Sequence, residues 1–142
     1  MNNSERRLLI FHLKGEKYAL KLYDAAEVME PPQLFPIPKA PLYFLGVMNF
    51  HGTLVPILDL AAALFDLGSH PDGGKVVVLG IHEVNLALWI DAIIDIISEE
   101  LVVAEHESFD EMVEKFLVLP DQELRLLSIE NLLDKLEQHI NS

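Results

Sequence analysis

Apolar residues recur mostly at every second position along the chain. Leu9, Phe11 and Leu13 alternate with Leu8, Ile10 and His12; the run breaks at Lys14-Gly15-Glu16, and Tyr18, Leu20 and Leu22 then alternate with Lys17, Ala19 and Lys21. Period-two patterning on both sides of a glycine-containing break predicts a β-hairpin with one polar face on its second strand. Asp24-Ala25-Ala26 can form one helical turn, Glu27-Val28-Met29 resumes extended structure, and Pro31-Pro32 ends it. A proline-studded crossing over residues 33–41 leads to a second expected hairpin, 46–50 and 53–58, around His51-Gly52. Asp59 stands where an N-cap would start a short helix over 60–64.

Residues 65–74 collect loop formers and read as an internal linker. Strands are expected at 75–81, 85–90 and 101–103, whereas 104–114 is crowded with acids and reads as loop or ragged helix. Segments 113–119 and 123–127 flank Pro120-Asp121-Gln122 as a further hairpin. Ser128 then caps a terminal helix with Ile129, Leu132, Leu133, Leu136 and Ile140 on one stripe.

The chain also repeats itself. At an offset of 68, Ala19-Leu20-Lys21-Leu22 falls on Ala87-Leu88-Trp89-Ile90, and Glu27-Val28-Met29 on Asp95-Ile96-Ile97. One more residue of offset carries Val55-Pro56-Ile57-Leu58-Asp59-Leu60 onto Leu124-Arg125-Leu126-Leu127-Ser128-Ile129. Each half is hairpin, short turn, hairpin, capped helix, so the expectation is a single domain over 1–142 with repeats at about 8–66 and 75–136. Two small barrels exchanging strands would satisfy that pattern.

The order of landmarks, Glu16-Lys17-Tyr18-Ala19-Leu20, Glu27-Val28, Pro36-Ile37-Pro38, Gly46-Val47-Met48-Asn49-Phe50-His51-Gly52, Val55-Pro56-Ile57-Leu58-Asp59-Leu60 and Ile90-Asp91, resembles the CheW-like family from about Leu8 to Leu133. The resemblance implies an all-β fold with short helices, built as two SH3-like five-stranded barrels. It implies a non-catalytic, cytoplasmic chemotaxis adaptor that couples the cytoplasmic hairpin tip of chemoreceptors to the regulatory domain of a CheA-type histidine kinase, with no cofactor. It places partner binding on Ala25, Glu27, Val28, Asn49, His51 and Gly52, and pairs Glu27 with the turn residue His51. The chain departs from the family pattern at three positions: His51 replaces the usual Arg, Ala87 replaces a glycine, and Lys115 stands where the second half often has Gly. The alternative within the class is an adaptor of a motility or developmental pathway, and outside it a metal-dependent enzyme using scattered His and Asp.

Composition narrows these readings. The 142 residues are 51% apolar and contain no cysteine, which removes disulfides, thiolate metal sites and cysteine nucleophiles and fits a reducing compartment. A net charge of −13 opposes phosphate backbones and anionic lipid, so nucleic acid is not an expected partner. The mean hydropathy of +0.27 is high, yet no apolar run reaches the roughly 18 residues that would span a bilayer, so direct membrane insertion is not expected and the excess belongs to core or contact surface. The first residues read as a short arm entering a strand rather than a signal peptide.

No nucleophile elbow, phosphate-binding glycine loop or zinc-protease motif occurs. The histidines at 12, 51, 70, 82, 106 and 139 lack a spacing that would build a metal site on one element. Asp91 and Asp95 could act as a carboxylate pair, or as a cap and a strand-edge acid. The acids from Glu99 to Glu114 could dock a basic partner or simply be solvated; Trp89 could be core or an interface anchor. Ala25, Val28, Leu34 and Ile37 could line a groove for a partner helix or pack inside.

Overall fold

The computed structural model describes residues 6–65, 73–80 and 85–141. The expected arm at the start, most of the 65–74 linker, the end of the 75–81 strand, His70 and His82 lie outside them. Eleven strands are described: β1 (Arg7–Leu13), β2 (Glu16–Lys21), β3 (Ala25–Met29), β4 (Phe44–Phe50), β5 (Thr53–Asp59), β6 (Lys75–Leu79), β7 (Ala87–Ile90), β8 (Ala92–Ser98), β9 (Ala104–Glu107), β10 (Val113–Val118) and β11 (Glu123–Leu127). Helix α1 (Leu60–Phe65) follows β5, and α2 (Ile129–Asn141) follows β11.

The strands form two sheets, ordered β8-β1-β2-β11-β10-β9 and β3-β6-β7-β5-β4. Under the sequence repeat these are the same order: β6 and β7 of the second half stand in one sheet where β1 and β2 of the first half stand in the other. Each N-terminal hairpin therefore sits in the sheet of the opposite half. The parallel pairing Ala19↔Leu126 between β2 and β11 has its counterpart in Ala87↔Ile57 between β7 and β5. Bulges also recur in register, between Phe44 and Gly46 on β4 and between Val113 and Lys115 on β10.

Side-chain alternation explains how one chain fills three apolar clusters. On β1, Leu8 and Ile10 enter a cluster inside the six-stranded sheet, with Ala19, Leu117, Leu124 and Leu126. Leu9, Phe11 and Leu13 point the other way, into a larger cluster shared with Val77, Leu79, Leu88 and Ile90 of the second sheet and with Leu132 and Leu136 of α2. Val76, Val78, Ala87 and Trp89 face a third cluster with Met48, Val55 and Ile57. Strands buried on both faces account for the high hydropathy. The helix caps form as the sequence indicated: the Asp59 carboxylate accepts the Ala62 N–H at 3.2 Å and the Ser128 hydroxyl accepts the Asn131 N–H at 3.2 Å.

Several local expectations are corrected. The helical turn lies at Leu22–Asp24, so Ala25 and Ala26 belong to β3. Residues 101–103 do not form a strand: a 3-10 turn occupies Glu99–Leu101, capped by Ser98 Oγ accepting the Glu100 N–H. The acid-rich 104–107 stretch, expected as loop or ragged helix, is β9, paired to β10 from Lys115↔Glu107 to Val118↔Ala104. It is the sixth strand of a sheet expected to have five.

Tyr18 is buried and stacks on Phe11 with ring centroids 5.7 Å apart. Burial raises its phenol above the usual range, against the opposing pull of Arg125 and with help from Asp110 and Glu16; burial alone raises Tyr43. A phenol with a raised folded pKa leaves stability intact below its unfolded value near 10 and removes it as pH rises through the folded value. Urea unfolding measured from pH 9 upward should show a falling midpoint, and Tyr18→Phe should make that fall shallower.

Candidate functional site

The candidate contact residues fall into two groups. Asn49, His51 and Gly52 form the tip of the β4–β5 hairpin and are exposed. His51 and Gly52 have φ of 50° and 86°, the successive left-handed pair of a two-residue hairpin turn. Asn49 Oδ1 accepts the Gly52 N–H at 2.9 Å and closes the turn. The His51 ring meets the Phe50 ring edge-on at 4.3 Å between centroids. Ala25, Glu27 and Val28 lie on β3, with Glu27 and Val28 exposed and Ala25 half-buried.

The expected pairing of Glu27 with His51 is not formed. No hydrogen bond or ion pair joins them: Glu27 is exposed on β3, and the His51 ring lies against Phe50. Of the proposed groove, Leu34 packs onto the cluster of Met48 and Trp89, while Val28 is 40% exposed. Beside the turn the register places Leu54 opposite Asn49 and bridges Phe35 to Val47; Leu54 and Phe35 are 65% and 46% exposed. This outward apolar surface had no distinguishing signal in the sequence, since apolar residues also occupy the inner face of the same hairpin.

The other candidate chemistry resolves into structural roles. Asp91 accepts the Lys14 N–H at 2.7 Å and Asp95 accepts the Ile96 N–H at 2.7 Å, so the two carboxylates serve backbone donors separately. Trp89 is 9% exposed and its Nε1 donates to the Gly73 carbonyl at 2.8 Å, which makes it core. Most of the acids from Glu99 to Glu114 are exposed, with Glu105 paired to Lys115 at 3.0 Å. Among the described residues no group of three His, Asp or Glu converges as metal ligands would, and no helix is long and apolar enough to cross a membrane. A polar cleft of about 500 Å³ opens between the β2 end and the start of α2, lined by Lys21, Tyr23, Glu114 and Glu130 among others.

Gly46 and its repeat counterpart Lys115 show why one position needs glycine and the other does not. Gly46 has φ of 148°, and a Cβ there would stand 2.6 Å from the Phe35 carbonyl oxygen. Lys115 is not in the left-handed region, and its ammonium reaches across to Glu105 on β9.

A profile of the CheW-like domain matches residues 7–137. A probable chemotaxis protein CheW of Rhizobium etli is 24% identical over 144 residues, covering 96% of this chain and 93% of that protein. The chemotaxis protein CheW of Rhizobium meliloti is 27% identical over 99 residues, 69% of this chain and 64% of that protein, and that of Bacillus subtilis is 24% identical over 130 residues, 87% and 81%. The crystal structure of the scaffolding protein TtCheW from Thermoanaerobacter tengcongensis shares the fold, with a TM-score of 0.78 at 21% identity over 90% of this chain and 92% of that one.

The two glycines separate strain from collision. Gly52→Ala meets no atom within 4 Å and should cost about 1 kcal/mol for its left-handed backbone alone. Gly46→Ala adds a clash with backbone and should cost more, about 2–3 kcal/mol, read as the shift in urea midpoint at constant slope.

Proposed function

The chain belongs to the CheW-like domain family, and from that membership we propose that it is an adaptor of chemotaxis signalling, linking chemoreceptors to a CheA-type histidine kinase without chemistry of its own. The match over residues 7–137 supports the reading, because it spans both sheets. On this reading the receptor's cytoplasmic hairpin tip meets Ala25, Glu27 and Val28 on the β3 edge and Asn49, His51 and Gly52 on the hairpin turn. Both groups are held by ladders and a closed turn, so they are preorganised for a partner and lose little entropy on binding. The exposed apolar side chains Val28, Phe35 and Leu54 supply the surface that a helical hairpin would cover. The kinase regulatory domain binds other barrel surface, with no cofactor, and the complex sits in the cytoplasm.

Direct binding tests this division. Glu27→Lys should weaken capture of a receptor-tip fragment about tenfold, about 1.4 kcal/mol, and leave capture of the kinase regulatory domain unchanged. Capture of neither partner by the parent protein would remove the adaptor reading; an unchanged receptor affinity in Glu27→Lys would move the receptor contact off β3.

A further inference from the structure

Strand β8 ends the six-stranded sheet, and among the described residues no strand pairs with its outer edge. Its centre, Ile93-Ile94-Asp95-Ile96-Ile97, reads the same in both directions. Such a strand is complementary to itself under antiparallel pairing about a two-fold axis, because each residue before the centre on one copy faces its equivalent after the centre on the other. Pairing centred on Asp95 would set Ile94 against Ile96 of a second copy, and these side chains are 41% and 44% exposed. Long apolar edges of this kind are where sheets add strands.

Asp95 opposes that pairing in two ways. At the two-fold axis it would face its own copy, and like charges directly opposite across a strand pair repel. Its carboxylate also accepts the Ile96 N–H at 2.7 Å, occupying a backbone donor that an added strand would need. The bulge between Asp95 and Ile93, opposite Ile10 and Phe11, bends the edge and shortens any ladder formed on it. The same devices recur on β3, the equivalent end strand of the other sheet. Glu27 occupies the repeat-equivalent position there, beside a bulge between Ala25 and Glu27.

We infer that β8 is a self-complementary edge for a second copy of this chain and that Asp95 is the group that keeps the two copies apart. The arrangement rests on edge geometry and charge and does not depend on which partners the adaptor binds.

Charge reversal tests it. The parent, Asp95→Lys and an equimolar mixture are compared by sedimentation at low salt, together with amide exchange along β8. Each protein alone should leave the β8 amides unprotected at its outer edge; the mixture should form a one-to-one complex, protect those amides, and dissociate as salt is added. Asp95→Asn alone should dimerise as its concentration rises. The exchange pattern decides, since it is indifferent to association through any other surface. No protection of β8 in the mixture, with Asp95→Asn also unprotected and retaining the parent's far-ultraviolet spectrum, overturns the inference. Should Asp95→Lys fail to fold, the Asp95→Asn concentration series is sufficient: protection of β8 that rises with concentration supports the inference, and its absence overturns it.

Discussion

Burial of strands on both faces is the constraint from which the rest of this structure follows. Because β1 and β2 sit in the sheet of the second half, and β6 and β7 in that of the first, these hairpins lie between a cluster inside their own sheet and the cluster shared by both. Neither half can close by itself. The parallel pairs β2–β11 and β5–β7 join the exchanged hairpins to their hosts, and Lys135 of α2 donates to the Ala63 carbonyl at the end of α1 at 2.6 Å, tying the two capped helices together.

With the interior committed in this way, the candidate contact residues fall on edges and hairpin tips. Glu27 and Asp95 lie on two of the end strands, β3 and β8; Asn49, His51 and Gly52 form a tip. These places tolerate polar, charged or left-handed residues because nothing packs over them. His51 suits its place: the turn requires a left-handed backbone, which histidine enters more readily than most residues, and the ring finds Phe50 beside it.

The sequence disclosed the parts of the fold governed by local chemistry. Gly15 and Gly52 marked two of the hairpin turns, Asp59 and Ser128 marked the helix starts, and the offset of 68 to 69 aligned the halves. It concealed β9, because Ala104-Glu105-His106-Glu107 has poor strand propensity and is extended only through its pairing with β10. It also misplaced the turn at Leu22–Asp24 by about two residues, since Ala25 and Ala26 favour helix locally and are held extended by β6. The Glu27–His51 pairing was implied by the resemblance alone; in the fold the His51 ring lies on Phe50 and no bond joins the two residues. The enclosure of Trp89 was readable from its apolar neighbours, whereas its bond to Gly73 joins residues 16 apart through the return of β6 beside β7.

The exchanged hairpins also bear on how the protein is made. Within this chain β1 and β2 are synthesised early, with Leu8, Leu9, Ile10 and Phe11 in continuous sequence, yet the strands that flank this hairpin, β8 and β11, both belong to the second half. The first half can assemble β4 with β5, but the partner of β1 is complete only once Ser98 has emerged, and that of β2 only once Leu126 has. Vectorial synthesis therefore leaves an apolar hairpin uncovered until the second half emerges, and long-range pairing of this kind closes slowly. The same topology that joins the two halves of the finished molecule exposes the apolar hairpin of its nascent form.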